Sequence, residues 1–275
     1  MTINIQCVDK VGLVAAISGL IAQEHINIIS MREHVDTDQQ RFFARLELAS
    51  KEDAQLLHHK LKAVLPVDAI IKINTVDEKK IVVLVTKEYH CLGDILIKNH
   101  FKTLGASVQC VIGNHQVLKE VCQKFDIPFY FISHVDKDKK VFENEIKVTL
   151  KTYKFDYLVL AKFMRILSSD FIKNFTHKII NIHHSFLPAF IGANPYRQAH
   201  ERGVKLIGAT AHFVTDHLDE GPIIAQNINP VNHTFSVADM MRAGKEIEKT
   251  TLSKALQLVF EDRVFVYLNK TVIFE

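Results

Sequence analysis

Residues 81–85, Ile81-Val82-Val83-Leu84-Val85, form an unbroken apolar run, and this run narrows the possible folds more than any other feature of the chain. A strand with one wet face alternates polar and apolar residues. A strand covered on both faces, as in a parallel sheet, is apolar throughout. Comparable runs recur from Ala106 to Ile112, Phe129 to Ile132, Tyr157 to Leu160 and Ile179 to Ile182, with helical segments between them. Alternation of buried strand and helix predicts an α/β unit with a mostly parallel sheet and helices on both faces. In such a sheet, functional residues belong in loops at the carboxyl ends of the strands.

The first 75 or so residues have a different rhythm. Thr2 to Cys7 reads as a strand, Asp9-Lys10-Val11-Gly12 as a turn, and Leu13 to Glu24 as a helix with Val14, Ile17, Leu20 and Ile21 at helical spacing. Asn27 to Arg32 and Phe42 to Leu48 are strand-like around the polar turn Asp36 to Gln40. Asp53 to Val64 carries Leu56, Leu57, Leu61 and Val64 on one helical face, and Val67 to Ile73 reads as a last strand. The order βαββαβ predicts a ferredoxin-like unit. The charged stretch 76–80 (Asp77, Glu78, Lys79, Lys80) reads as a linker. The expected division is therefore 1–75, a linker at 76–80, and 81–275.

Net charge is +3, with the charges evenly spread, which fits a small anionic ligand and not nucleic acid. Cys7, Cys91, Cys110 and Cys122 form no Cys-x-x-Cys pair and read as reduced thiols. No stretch approaches the ~20 apolar residues of a membrane span. The start Met1-Thr2-Ile3-Asn4-Ile5 lacks the pattern of a secretion signal, so the cytoplasm is the expected location and no membrane partner is expected.

Chemistry concentrates between residues 181 and 222. Asn181 is expected to end an apolar strand, and His183, two residues on, then points the same way. An amide donor can stabilise a developing oxyanion, and an imidazole can carry a proton. The strand at 207–214 leads to a second polar loop with Asp216 and Asp219. A carboxylate there can orient the imidazole or activate a water. His184 reads as structural, because adjacent strand side chains diverge. No His-Glu-x-x-His or cysteine pair is present, so no metal is expected. Cys91 has no evident imidazole partner and is not read as a nucleophile. Gly221-Pro222 reads as a turn.

Asn181-x-His183 followed by Ser185-x-Leu187-Pro188, then His212-Phe213-Val214-Thr215-Asp216-x-Leu218-Asp219-x-Gly221-Pro222, resembles the formyltransferase family that uses 10-formyltetrahydrofolate. The run Ala161-Lys162-Phe163-Met164-Arg165-Ile166-Leu167-Ser168 is similar to that family's folate-pocket segment, and the likeness spans about residues 80 to 275. It implies a Rossmann-like domain in which Asn181, His183 and Asp219 are catalytic. It also implies folate binding at Met164, Arg165, Ile166 and Leu167 and at Thr215 and Asp216, with no cofactor beyond the folate substrate. Asp9-Lys10-Val11-Gly12-Leu13-Val14 and His25-Ile26-Asn27-Ile28 resemble an ACT domain, a small regulatory fold. An ACT domain ahead of a formyltransferase-like domain is the layout of formyltetrahydrofolate deformylases. Ile191 to Tyr196 and Lys205 to Thr210 are similar to that subgroup.

The acceptor is read from the loop after the first buried strand, Thr86 to Asp94. It has one glycine, and Glu88 and Asp94 would repel a phosphate, although Lys87 and His90 would not. Phosphate cradles need close backbone amides and glycines. Water is therefore the expected acceptor: a hydrolase giving formate and tetrahydrofolate, balancing one-carbon pools and feeding formate to purine synthesis. The expected division of labour has Asn181 and a protonated His183 on the oxyanion, with Asp219 positioning His183 and helping to deprotonate water. Transfer to a nucleotide or aminoacyl acceptor, and a catalytically silent sensor, are the open alternatives. In the N-terminal unit the helix start at Gly12, with Asp9 and Asn27, is the expected effector site for a small amino acid such as glycine or methionine. Its modest core favours a homo-oligomer.

Overall fold

The computed structural model describes every residue except 50–52, 77 and 189–194. Most of the segment Ile191 to Tyr196 therefore lies outside the described residues, as does Asp77. The chain divides into two compact units. The first comprises Met1–Asp77 with Asp262–Phe265 and Val272–Glu275, and the second Glu78–Glu261 with Val266–Thr271.

The first unit runs β1 (Thr2–Val8), α1 (Leu13–Gln23), β2 (Ile28–Asp36), β3 (Arg41–Leu48), α2 (Ala54–Val64) and β4 (Ile70–Asn74). Its sheet has the order β2-β3-β1-β4, all antiparallel. Alternation sorts the faces. Ile3, Ile5 and Cys7 of β1 and Phe42, Ala44, Leu46 and Leu48 of β3 pack with Ile17 and Ile21 of α1 and Leu57 and Leu61 of α2. Asp53 caps α2 by accepting from the Gln55 and Leu56 amides. The expected strand at Val67 begins only at Ile70. Pro66 instead opens a turn closed by Ala69 N to Pro66 O at 2.9 Å, with Val67 exposed.

The opposite face of this sheet carries Asn4, Phe43 and Arg45, all buried. The terminal residues cover it. Asn4 Nδ2 donates to Asp262 O at 2.9 Å, Arg45 Nε to the same oxygen at 3.1 Å, and Phe43 meets Phe265 edge-on at 5.7 Å.

The second unit runs β5 (Lys79–Val85), α3 (His90–His100), β6 (Ala106–Gly113), α4 (Lys119–Lys124), β7 (Phe129–Phe131), α5 (Lys139–Leu150), β8 (Tyr157–Leu160), α6 (Ser169–Ile172), β9 (Ile179–His183), α7 (Pro195–Glu201), β10 (Leu206–Phe213), β11 (Ile223–Pro230) and α8 (Val237–Phe260). The hairpin β12 (Val264–Tyr267) and β13 (Lys270–Ile273) follows. The seven-stranded sheet has the order β11-β10-β9-β8-β5-β6-β7. Pairing from β7 to β9 is parallel, and β10 and β11 are antiparallel additions at one edge. Val82 and Leu84 pack toward Phe142 and Ile146 of α5, while Ile81, Val83 and Val85 are equally buried. This accounts for the continuous apolar run.

Three boundaries differ from the sequence reading. Lys79 and Lys80, expected in the linker, are the first residues of β5 and pair with Ala106 and Ser107. The expected loop to Asp94 stops at Tyr89, because α3 starts at His90. Asp94 is helical and pairs with Lys98 one turn on, at 2.8 Å. Asn181 does not end its strand: β9 continues to His183, held by pairing with β10.

Candidate active site

The register of β9 against β10 places Asn181 opposite His212 and His183 opposite Thr210. Thr210 is fully buried. Its hydroxyl donates to Ser185 O at 2.9 Å and accepts from Leu187 N at 3.0 Å and Gln226 Nε2 at 3.0 Å. These bonds tie the turn after β9 to the neighbouring strand and fix where His183 stands.

Asp219 reaches the same place from the β10–β11 connection. Its backbone is left-handed, φ 58°, which an aspartate tolerates at a cost of about 1 kcal/mol. Two residues on, Gly221 lies so close to β10 that an added Cβ would sit 1.7 Å from Phe213 O. Phe213 N to Pro222 O, 2.9 Å, closes the turn. The glycine is therefore required by backbone approach, which is more specific than turn preference.

Asn181, His183 and Asp219 converge. His183 Nδ1 lies 3.3 Å from Asp219 Oδ2, and Asn181 Nδ2 lies 3.2 Å from His212 Nε2. His212 Nδ1 is 2.9 Å from Phe213 O, which can only accept, so Nδ1 carries the proton and Nε2 accepts from Asn181. The sequence reading did not single out His212. Its signal is a polar side chain inside the apolar strand Gly208-Ala-Thr-Ala-His-Phe. Burial pushes the Asp219 carboxyl up, but the hydrogen bond from His183, with the His212 ring close by, outweighs this and holds it well below the usual carboxylate range. His183 Nε2 is buried and has no hydrogen-bond partner. An orphaned ring nitrogen beside an oriented carboxylate has the arrangement of a proton carrier awaiting substrate. Next to it, burial first and then the Lys162 and His183 charges push the His184 imidazole down to about 4, so it is neutral.

Met164, Arg165 and Ile166 are exposed on the loop after β8, whose Met164 N donates to Thr86 Oγ1 at 2.9 Å. Leu167 is buried in the core and supports that loop from beneath. Asp216 is exposed, and Thr215 Oγ1 donates to His217 O at 3.2 Å.

A second buried group surrounds Glu248 on the core-facing stripe of α8. His90 Nε2 lies 2.8 Å and Lys162 Nζ 3.2 Å from Glu248 Oε2, and Tyr196 OH donates to Oε1 at 2.7 Å. Burial raises the Glu248 carboxyl, but His90, Lys162 and Tyr196 together lower it further. A charged residue on an apolar helical face, at the spacing of Gly244, Ile247, Thr251 and Leu252, is the trace this cluster leaves in sequence. His90, Cys91 and Glu248 bring donor atoms within 4.8 Å of one another. An ammonium on the carboxylate and a thiol pushed up by burial suit charge pairing better than a cation.

The formyl transferase family model matches residues 79–256, and the ACT domain model matches residues 1–64. A solved glycinamide ribonucleotide transformylase 1 from Symbiobacterium toebii superposes with TM-score 0.69 at 30% identity, covering 72% of this chain and 95% of that one. These matches define a chain with an ACT domain followed by a formyl transferase domain. Full-length similarity goes further. A formyltetrahydrofolate deformylase of Haemophilus influenzae is 47% identical over 267 residues, covering 97% of this chain and 96% of that protein. The crystal structure of a formyltetrahydrofolate deformylase from Pseudomonas syringae superposes with TM-score 0.95 at 38% identity, covering 100% of this chain and 94% of that one. The chain belongs to the formyltetrahydrofolate deformylase family.

Proposed function

We propose that this chain hydrolyses 10-formyltetrahydrofolate to formate and tetrahydrofolate, balancing one-carbon pools and supplying formate for purine synthesis. The observation that carries this reading is the His183 imidazole, held at Nδ1 by Asp219 and open at Nε2, beside the Asn181 amide. Relatives of full-length similarity bear the deformylase name.

Water attacks the formyl carbon, and His183 Nε2 takes its proton. The Asn181 amide donates to the oxyanion, a contribution of about 3 kcal/mol. The tetrahedral adduct collapses, the C–N bond breaks, and His183 returns the proton to the departing folate nitrogen. The products are tetrahydrofolate and formic acid, which ionises. Asp219, held well below the usual carboxylate range, is a weak base and a strong orienting anion. Where the sequence reading had Asp219 helping to deprotonate the water, this scheme gives the proton to His183 and leaves Asp219 the orienting role. The pterin lies over the exposed loop Met164, Arg165 and Ile166, backed by Leu167, and against Thr215 and Asp216.

Water is favoured as acceptor because the turn Thr86 to Tyr89 contains no glycine to let a phosphate approach backbone amides; the repulsion expected from Glu88 is offset by its pairing with Lys245 at 2.7 Å and is not needed for this reading. The test is formate release from 10-formyltetrahydrofolate with and without glycinamide ribonucleotide. Formylated ribonucleotide appearing as fast as formate would replace this reading with the transferase one.

The first unit senses a small amino acid, glycine or methionine, and pairs with a second copy. No side chain caps α1, no acid sits in its first turn, and Gly12 is left-handed at φ 92°, so the helix start suits a carboxylate. Asp9 and the exposed Asn27 lie in the segments expected to meet the ammonium. Val11, Ile29 and Val67 are exposed apolar residues that pairing would cover. Light scattering and an amino-acid panel in the formate assay test both halves. A monomer, or a rate indifferent to every amino acid, sinks the corresponding half.

A further inference from the structure

The hydrolytic steps leave Glu248, His90, Lys162 and Tyr196 unused, yet among the described residues these side chains form a buried, multiply paired cluster. They arrive from four places. His90 follows β5, Lys162 follows β8, Tyr196 is on α7 and Glu248 is on α8. β5 and β8 are neighbours in the sheet, and the chain builds outward from β5 to β6 and β7 before returning to β8. In open α/β sheets, that point of reversal is the crevice that receives ligands. Here the chain's own side chains occupy it.

Two details show that the occupation is built in. Lys162 has a left-handed backbone, φ 61°, a conformation that favours glycine, and it is nevertheless a buried lysine. Gly244 of α8 leaves room for the Tyr196 ring, since a Cβ there would lie 2.1 Å from the phenol oxygen. The neutral His184 ring stands between this cluster and the catalytic imidazole, 5.0 Å from the His183 ring and 6.3 Å from that of Tyr196. From His183, the neighbouring described side chains in succession are His184, Tyr196 and the Lys162–Glu248 pair.

We propose that the Lys162–Glu248–Tyr196 cluster determines the acceptor by filling the switch-point crevice, so that water reaches the formyl carbon and a primary amine does not. The proposal rests on the hydrolytic reading above. Any transferase built on the same sheet must lodge an amine within bonding reach of that carbon. Specificity against such an acceptor is gained by occupying its space, with no new contact to water required. The ion pair suits this role because a buried charge that loses its partner is costly, so the plug does not open readily.

The test offers glycinamide, a small primary amine, with 10-formyltetrahydrofolate and measures formylglycinamide against formate by mass spectrometry. Lys162→Gly relieves the backbone and opens the crevice. Tyr196→Ala opens it while keeping the Lys162–Glu248 pair. Lys162→Met removes the charge and keeps the bulk. The expected result is formate alone from the wild type and from Lys162→Met, with at least a tenfold higher formylglycinamide fraction from either opened variant that keeps its melting transition. Opened, folded variants that partition like the wild type overturn the proposal, as does amine capture by the wild type itself. A wild type that releases no formate instead defeats the hydrolytic reading beneath it.

Discussion

At the scale of single residues, the convergence of Asn181, His183 and Asp219 was legible because two ordered motifs, resembling those of a known family, place an amide and an imidazole on one strand face and a carboxylate in the facing loop. Replacing Asp219 by Asn or His183 by Ala is expected to cut formate release at least about a hundredfold with circular dichroism unchanged. A variant retaining near wild-type turnover removes that residue from the mechanism. His212 and Glu248 were not singled out because their partners, Asn181 and Lys162, come from other strands and connections. His184 gives a pH signature. Its imidazole is pushed down to about 4 from an ordinary 6.5, so between these values the unfolded chain binds a proton that the folded chain refuses. Its contribution is complete above pH 6.5 and is lost as pH falls toward 4. Between pH 7 and 5 this amounts to at most about 2 kcal/mol. Urea unfolding at the two pH values should show a smaller loss in His184→Gln than in the wild type; equal losses would remove His184 as the source.

Among elements, the buried parallel strands were legible because burial on both faces leaves an apolar run with nothing to confuse it. Strands with mixed surroundings were not. β11 alternates weakly and was not read, and the stretch at Val67 has strand composition but begins after a proline that turns the chain. α3 begins four residues before the end of what looked like a loop, and the His90 Nε2 at its start reaches Glu248, a partner 158 residues away that no local pattern shows. The β10–β11 connection illustrates what local pattern conceals. Gly221-Pro222 announces a turn, while the requirement for glycine comes from Phe213 O. Gly221→Ala should displace Asp219 without touching it, lowering the melting temperature by the equivalent of about 1–3 kcal/mol and formate release with it. Calorimetry and the formate assay check both, and normal turnover in this variant would mean that the turn does not set the carboxylate's position.

Across the whole molecule, the division between an antiparallel and a mostly parallel unit was visible in the change of rhythm near residue 80. The assignment of the terminal residues was not. Asp262–Phe265 and Val272–Glu275 belong with the first unit, through bonds such as Asn4 to Asp262 across 258 positions, and no periodicity encodes a pairing of that range. Phe265 is buried between Phe43 and Phe274, so Phe265→Ala should cost about 3–5 kcal/mol in the first unit. Hydrogen exchange would locate the loss at β1 and β3, and protection unchanged there would contradict the assignment. The same closure has a consequence for biosynthesis. Units of a chain ordinarily fold in the order in which they leave the ribosome. Here the sheet that emerges first waits for residues 262–275 before its second face is covered. A nascent chain stalled near residue 260 would carry a finished parallel sheet and an amino-terminal sheet with Phe43 and Arg45 bare, a state that chaperones and proteases can distinguish from the completed protein.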